Sequence, residues 1–580
     1  MNAAALGRDT TPAAADASRK HGVRRAGRQV AARLLRLLPG RADWAAVRRS
    51  PRRDLLAGLT VAVVALPLAL AFGVTSGLGA QAGLVTAVVA GAVAAVFGGS
   101  NLQVSGPTGA MTVVLVPVVQ RFGAGGVLMV GALAGLVLIA LALARLGRYV
   151  RYLPAPVIEG FTAGIAVVIA LQQVPAALGI TDAHGDKVWA VAADAVARFV
   201  THPRPAAVAV ALSVAALMLL GSRWRPGLPF SLLGVGAATV LAEFAPVDLI
   251  RIGALPQHLP APSLGFLDLG AIGVLLPSAL AVAALAALES LLSATVADGM
   301  TVGQRHDPDR ELFGQGLANL ASPLFGGIPA TAAIARTAVN VRAGAGSKLA
   351  ALAHAVALAA IVLAAAPLVG RIPLAALAGV LLATTVRMVE AGSLRAIARA
   401  TRGDAVVLVL TFAVTVIWDL VTAVAVGLAV AVVLALRAVA RSARLEQVPL
   451  DQGEHSAEEH ALLAEHIVAY RLDGPLFFAA AHTFLLELSD VADVRVVILR
   501  MSRVSTMDAT GAQVLGDAID RLRARGTVVL LSGITPGHDQ VLDALGVADE
   551  LRRAGLVFPD TPAAIRYART VALGPAPSAR

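Results

Sequence analysis

Along most of this chain apolar residues do not alternate with polar ones. They run in long blocks that begin near Leu55, Ala82, Gly106, Val127, Val157, Ala206, Leu228, Ala271, Leu312, Ala330, Leu349, Pro373, Ala405 and Val421. About fourteen such blocks, several shorter than the roughly 20 residues of a full span, predict an α-helical polytopic membrane protein. The pattern changes after Arg437, Arg441 and Arg444, and from about Ile467 the chain reads as a soluble α/β domain. Positions 496–499 and 528–531 suit buried strands, and 512–522 between them has helical spacing. The expected organisation is a basic N-terminus over 1–50, a membrane domain over 51–440, a linker over 441–465, the α/β domain over 466–572 and a tail over 573–580.

Composition sharpens this picture. The chain is 57% hydrophobic and 15% charged, with aromatics at 4%, so the apolar mass is Ala, Val, Leu and Gly, which lets membrane helices pack closely. There is no cysteine, which excludes disulfides, thiolate metal sites and cysteine nucleophiles. The net charge of +11 does not call for nucleic acid, because the arginines sit beside the apolar blocks as cytoplasmic loops collect them. Taking the basic N-terminus as cytoplasmic, the loops carrying Arg145, Arg148 and Arg151, then Arg223 and Arg225, Arg305 and Arg310, Arg342 and Lys348, and Arg387, Arg395, Arg399 and Arg402 fall on the same side. Arg121, Arg251 and Arg371 stand alone on the other side, and Lys187, Arg198 and Arg204 are spread over a long loop. Both termini are then cytoplasmic and the chain is multi-pass in a bacterial inner membrane. The basic stretch from Arg24 to Arg41 leads into further basic residues, unlike a cleavable signal peptide.

Two segments repeat each other. Phe97-Gly98-Gly99 leads to Gly106-Pro107-Thr108-Gly109, and Phe325-Gly326-Gly327 leads to Pro329-Ala330-Thr331-Ala332-Ala333. These are the third and tenth blocks, and an odd offset between them inverts the second copy in the membrane. Paired, proline-interrupted short spans point to a midplane site in an inverted-repeat transporter. A helix that starts in mid-membrane leaves its first N–H groups free and presents about half a positive charge, so two facing starts make an anion site without a lysine. One Gly-Pro pair alone could simply kink a packed helix.

Glu289 lies inside the eighth block, where an ionisable side chain should face the bundle interior. Ser293, four residues on, shares its helix face. A carboxyl there offers a route to proton coupling, against the alternative of a structural carboxylate. Arg336, about a turn into the second half-helix, is read three ways: as a positive charge at the site, as a partner neutralising Glu289, or as a side chain snorkelling to the cytoplasm. Glu159, Asp298, Glu390 and Asp419 sit near block ends as helix-end charges. No metal cluster, phosphate loop or nucleophile with a base suggests an enzyme, and no cofactor is expected.

The runs Leu288-Glu289-Ser290-Leu291-Leu292-Ser293, Gly314-Gln315-Gly316-Leu317-Ala318-Asn319 and Gly326-Gly327-Ile328-Pro329-Ala330-Thr331 through Arg336-Thr337, with Gly106-Pro107-Thr108, closely resemble the sulfate permease (SulP) family. The resemblance implies fourteen spans as seven-plus-seven inverted repeats with two half-helices, a core moving like an elevator against a gate, a C-terminal STAS domain and a homodimer. It implies a secondary active transporter of sulfate, bicarbonate or a dicarboxylate. Its substrate-facing positions map to Phe72, Thr108 with Gly109, Ala332, Ala333 and Arg336, with Glu289 and Ser293 on the eighth span. Where many members have glutamine this chain has Leu68, and where sodium-coupled bicarbonate transporters have aspartate and threonine it has Glu289 and Ile334. Oxygen ligands for sodium are thereby lost, which favours H+ over Na+ as coupling ion. The run from Ala330 to Arg336 looks most like bacterial dicarboxylate members. An uncoupled channel or exchanger on the same fold, a sodium-coupled bicarbonate transporter, or a signalling scaffold are the alternatives.

In the α/β domain, Val504-Ser505-Thr506-Met507-Asp508-Ala509-Thr510-Gly511 resembles the STAS signature. Asp508 or Thr510 can cap the following helix. Thr510 matches a position phosphorylated in soluble relatives, so this surface could dock a cytoplasmic protein partner.

Overall fold

In hydrocarbon every backbone N–H and C=O must be satisfied within the segment, so the apolar blocks have one solution, the helix. The computed structural model describes residues 37–441, 444–448, 466–478 and 494–573, apart from 186, 226–227 and 245–246. Most of the basic N-terminus expected over 1–50, most of the linker over 441–465 and nearly all of the tail lie outside the described residues. The chain divides into two compact units, Met1–Leu428 and Ala429–Arg580.

The first unit is helical. Its elements are α1 (Pro51–Thr75), α2 (Ala80–Phe97), β1 (Ser105–Gly106), α3 (Gly109–Leu143), α4 (Ala155–Leu178), α5 (Val188–Thr201), α6 (Pro205–Trp224), α7 (Phe230–Phe244), α8 (Ile272–Gly299), α9 (Pro308–Leu324), β2 (Thr331–Ala332), α10 (Ile334–Arg342), α11 (Lys348–Val369), α12 (Leu374–Met388), α13 (Ala391–Ala400), α14 (Arg402–Ile417) and α15 (Leu420–Ala440), the last crossing the unit boundary. Each expected apolar block leads into a helix. The count of fourteen spans does not follow from them, because nine helices among the described residues are long and apolar enough to cross a membrane. The 35-residue α3 contains two blocks, divided at Gly123, whose φ of 65° breaks the helix. The long loop expected around Lys187 contains a helix instead. Its α5 is amphipathic, and Arg198 ties it to Asp194 at 2.7 Å and to Asp182 at 2.8 Å. Small residues bring the helices together: a Cβ on Gly135 of α3 would lie 2.7 Å from the Gly316 carbonyl oxygen of α9.

In the second unit a five-stranded sheet runs in the order β3 (Arg444–Val448), β4 (Ile467–Leu476), β5 (Val496–Met507), β6 (Val528–Ser532), β7 (Val557–Phe558). β3 pairs antiparallel with β4, and the remaining pairs are parallel. Parallel strands are buried on both faces, which is why 496–499 and 528–531 read as unbroken apolar runs. Ala512, Leu515, Ile519 and Leu522 of α16 (Ala509–Ala524) cover one face, and Ala564, Ala568 and Ala572 of the C-terminal helix the other. The stretch from Glu446 to Glu465 reads in sequence as a linker or a first-strand surface, and its described first part is β3, because its backbone completes the sheet edge beside β4. Asp508 caps α16, accepting from the Gly511 N–H at 2.7 Å, while Thr510 sits exposed in the first turn.

A candidate anion site where two half-helices meet

After α2 and after α9 the chain leaves the helix inside the bundle, and the freed peptide groups need partners. The two broken segments satisfy each other. Ser105 pairs with Ala332 and Gly106 with Thr331 in a two-residue antiparallel ladder, and the Ala333 N–H donates to the Val104 carbonyl at 3.1 Å. Antiparallel pairing is what two copies of opposite orientation require.

Isolated polar side chains satisfy several of the others. Asn319 of α9 acts as a short stretch of mock strand: its Nδ2 donates to the Ala330 carbonyl and its Oδ1 accepts from the Ala330 N–H, both at 2.8 Å. Gln315 Nε2 donates to Ser105 Oγ at 2.6 Å, and Asn340 Nδ2 to the Leu102 carbonyl at 2.7 Å. Ser290 of α8 shares a hydrogen bond with Thr331 at 2.9 Å and accepts from the Ala332 N–H at 3.2 Å.

From this crossing α3 and α10 set out, each with its N-terminus at the ladder. Thr108 is the N-cap of α3; its Oγ1 accepts from the Met111 N–H at 3.4 Å and donates to Glu289 Oε2 at 2.9 Å. Ala333 is the N-cap of α10 and has no side chain to offer, and Ile334 beside it is 41% exposed. The α10 start thus keeps its N–H groups open.

Arg336, one turn into α10, is 2% exposed, so it does not snorkel. Its Nη2 donates to the Pro107 carbonyl at 2.7 Å, and its Nη1 is buried without a partner. Gly106, at φ 153°, makes room for it: a Cβ there would lie 2.6 Å from Nη1. Among the described residues no cation comes within 4.0 Å of Glu289, so Arg336 does not form an ion pair with it.

Thr108, Gly109, Glu289, Ala332, Ala333 and Arg336 therefore converge. Phe72 adjoins them: a Cβ on Gly109 would be 3.2 Å from its Cε1. Ser293 is turned elsewhere, donating to Thr337 Oγ1 at 3.0 Å, which in turn accepts from the Val104 N–H at 3.1 Å. It braces α10 against α8. Asp508 and Thr510 belong to the other unit. Asn319, Gln315, Ser290, Thr331, Thr337 and Asn340 received no role from sequence; the signal was their type, polar groups standing alone among apolar ones. Of the charges read as helix-end residues, Asp298 accepts from the His306 ring at 2.8 Å, and Glu159 from Ser393 at 2.9 Å.

Comparison with known proteins agrees with this geometry. Residues 52–411 match the sulfate permease family and 461–564 the STAS domain. A Bacillus subtilis protein named "Putative sulfate transporter YvdB" is 35% identical over 509 residues, 86% of this chain and 94% of that protein. The bicarbonate transporter BicA of Synechocystis is 32% identical over 516 residues, 86% and 91% of the two chains. The structure of SLC26A9 superposes with a TM-score of 0.79 at 17% identity, covering 94% of each chain, which speaks for the fold alone. The chain belongs to the sulfate permease family of membrane anion transporters and carries its C-terminal STAS domain.

Proposed function

We propose that this protein is a secondary active transporter that binds a small oxyanion, sulfate or bicarbonate, at the half-helix crossing. The carrying observation is the convergence there of an open α10 N-terminus with the unpaired Nη1 of buried Arg336. Free N–H groups and a guanidinium donate to oxygen in the geometry an oxyanion needs. The names of the relatives speak for sulfate and for bicarbonate. The C4-dicarboxylate expectation draws only on the motif around Ala332 and Arg336.

Protons are the proposed coupling ion. Glu289 meets the site through the Thr108 hydroxyl and has no cation within 4.0 Å among the described residues, so no ion pair fixes its charge. A carboxyl of this kind can bind a proton when the anion arrives and release it when the anion leaves. The core built from α1, α3, α8 and α10 would carry both past the gate helices, in an elevator motion within a homodimer of the bacterial inner membrane. Counterflow of labelled sulfate, bicarbonate and fumarate in proteoliposomes tests this. Accumulation of sulfate or bicarbonate that rises with an inward proton gradient is the expected result. Flux of none of the three would overturn the reading, and sodium-driven, pH-independent flux would overturn the proton step.

A further inference from the structure

A cavity lies at the Thr75 end of α1, away from Pro51. It measures about 510 Å3 and is lined by Thr75 of α1, Gln120 of α3, Gln172 and Gln173 of α4, Arg204 before α6, and Asp248. Its lining begins about one helical turn beyond the residues that pack on the crossing. Gln172 and Gln173 follow Ile169 by one helical turn, and Thr75 follows Phe72 by one. Phe72 and Ile169, 7% and 2% exposed, are the side chains a Cβ on Gly109 would strike. Phe72 and Ile169 thus pack on the first residue of the α3 half-helix, one turn along α1 and α4 from residues that line the cavity.

Within a largely apolar lining, the polar groups are arranged in a specific way. Gln173 Nε2 donates to Thr75 Oγ1 at 3.2 Å, whereas both amide atoms of Gln172 are buried with no partner. A buried unpaired amide calls for a ligand or water. On the same face, Arg198 is held by Asp182 and Asp194, and Arg251 and Arg371 by Glu243. Arg204 gives only its Nη1 to the Gly179 carbonyl, at 3.0 Å, and among the described residues no carboxylate pairs with it. Asp248 stands exposed in the lining and is not paired with Arg204.

We infer that this cavity is an outer loading site, in which Arg204 and the amide of Gln172 hold the transported oxyanion before it passes Phe72 and Ile169. This rests on the transporter reading above and adds a second place for the anion. Bound there, the anion replaces part of its water with amide and guanidinium N–H groups.

The absence of native cysteine makes the test clean. In intact cells expressing the full chain, Gln172→Cys and Thr75→Cys are each treated from outside with sulfonate-bearing and trimethylammonium-bearing methanethiosulfonates, with rates normalised to a free thiol. The anionic reagent should react faster by about fivefold, as a local positive potential dictates, and Arg204→Gln should erase the preference. Equal rates, a cationic preference, or no reaction in protein that is folded by size exclusion would overturn the inference. In a second arm, Gln172→Leu and Arg204→Gln should raise the outside KM for labelled sulfate by about fivefold to tenfold and leave the inside KM unchanged. Equal rises on both faces, or none, would count against the site. Wild-type protein that carries no sulfate or bicarbonate would sink the transporter reading, while the thiol arm would still decide whether the cavity prefers anions.

Discussion

The two half-helices begin alike in sequence and end up differently equipped. The start of α3 is closed by its own side chain: Thr108 caps it and then reaches Glu289. The start of α10 is open, since Ala333 has no capping group, and its charge is supplemented by Arg336, which anchors on the first copy at Pro107. An inverted repeat supplies two equivalent positive ends. On the proposed function, one end links to Glu289 and the other docks the anion. The antiparallel ladder keeps the two in register, so a change at one copy is felt at the other.

The comparison can be broken most severely at the ladder itself. Asn319→Leu leaves the N–H and C=O of Ala330 without partners, which should cost about 3 kcal/mol. Heating the detergent-solubilised variant should show a clearly lowered midpoint together with lost transport, and unchanged stability would show that the mock strand is dispensable. Arg336→Gln comes next. It removes the cation while keeping a donor for the Pro107 carbonyl, so sulfate affinity should fall by about tenfold to a hundredfold with the fold intact. Glu289→Gln should spare affinity and abolish the pH response: uptake by the wild type should rise as outside pH falls, and the ratio of acid to neutral uptake in the variant should drop to about one. Proton-driven uptake of wild-type size in that variant would remove Glu289 from the mechanism.

The smallest effects come from exchanging the caps. Thr108→Val deletes a cap worth about 1 kcal/mol and the hydrogen bond to Glu289, and anion affinity should fall a few-fold. Ala333→Ser installs the missing cap on α10. It should stabilise the protein by up to about 1 kcal/mol and weaken sulfate binding a few-fold, because the serine oxygen competes with the anion for the same N–H groups. Tighter binding in Ala333→Ser would show that the open end is not the docking end.

Much of this was legible in sequence for a local reason. Glycine, proline and threonine at 106–108, and the matching run at 329–331, stop and restart a helix wherever they stand, so the break points could be read directly. What could not be read was the choice between neighbours on one helix. Ser293, four residues from Glu289, looks as if it belongs at the site, yet it meets Thr337, while Ser290 reaches the ladder through Thr331. Arg336 had three readings, and a carbonyl more than two hundred residues away decided among them. One short element, α5, does not stand out in sequence, because it lies in a charged stretch that reads as a loop.

By itself, then, the sequence determined the medium, the helical blocks and the two places where helices restart within the bundle. These depend on hydropathy, backbone propensity and charge, all of which act within a few residues. The tertiary structure alone decided that the two restarts join in a ladder, that Asn319 completes it, and that Thr108 holds Glu289 while Arg336 holds Pro107. Those pairings link residues far apart in the chain, and packing selects them because no peptide or guanidinium group in a dry interior can go without a partner at little cost.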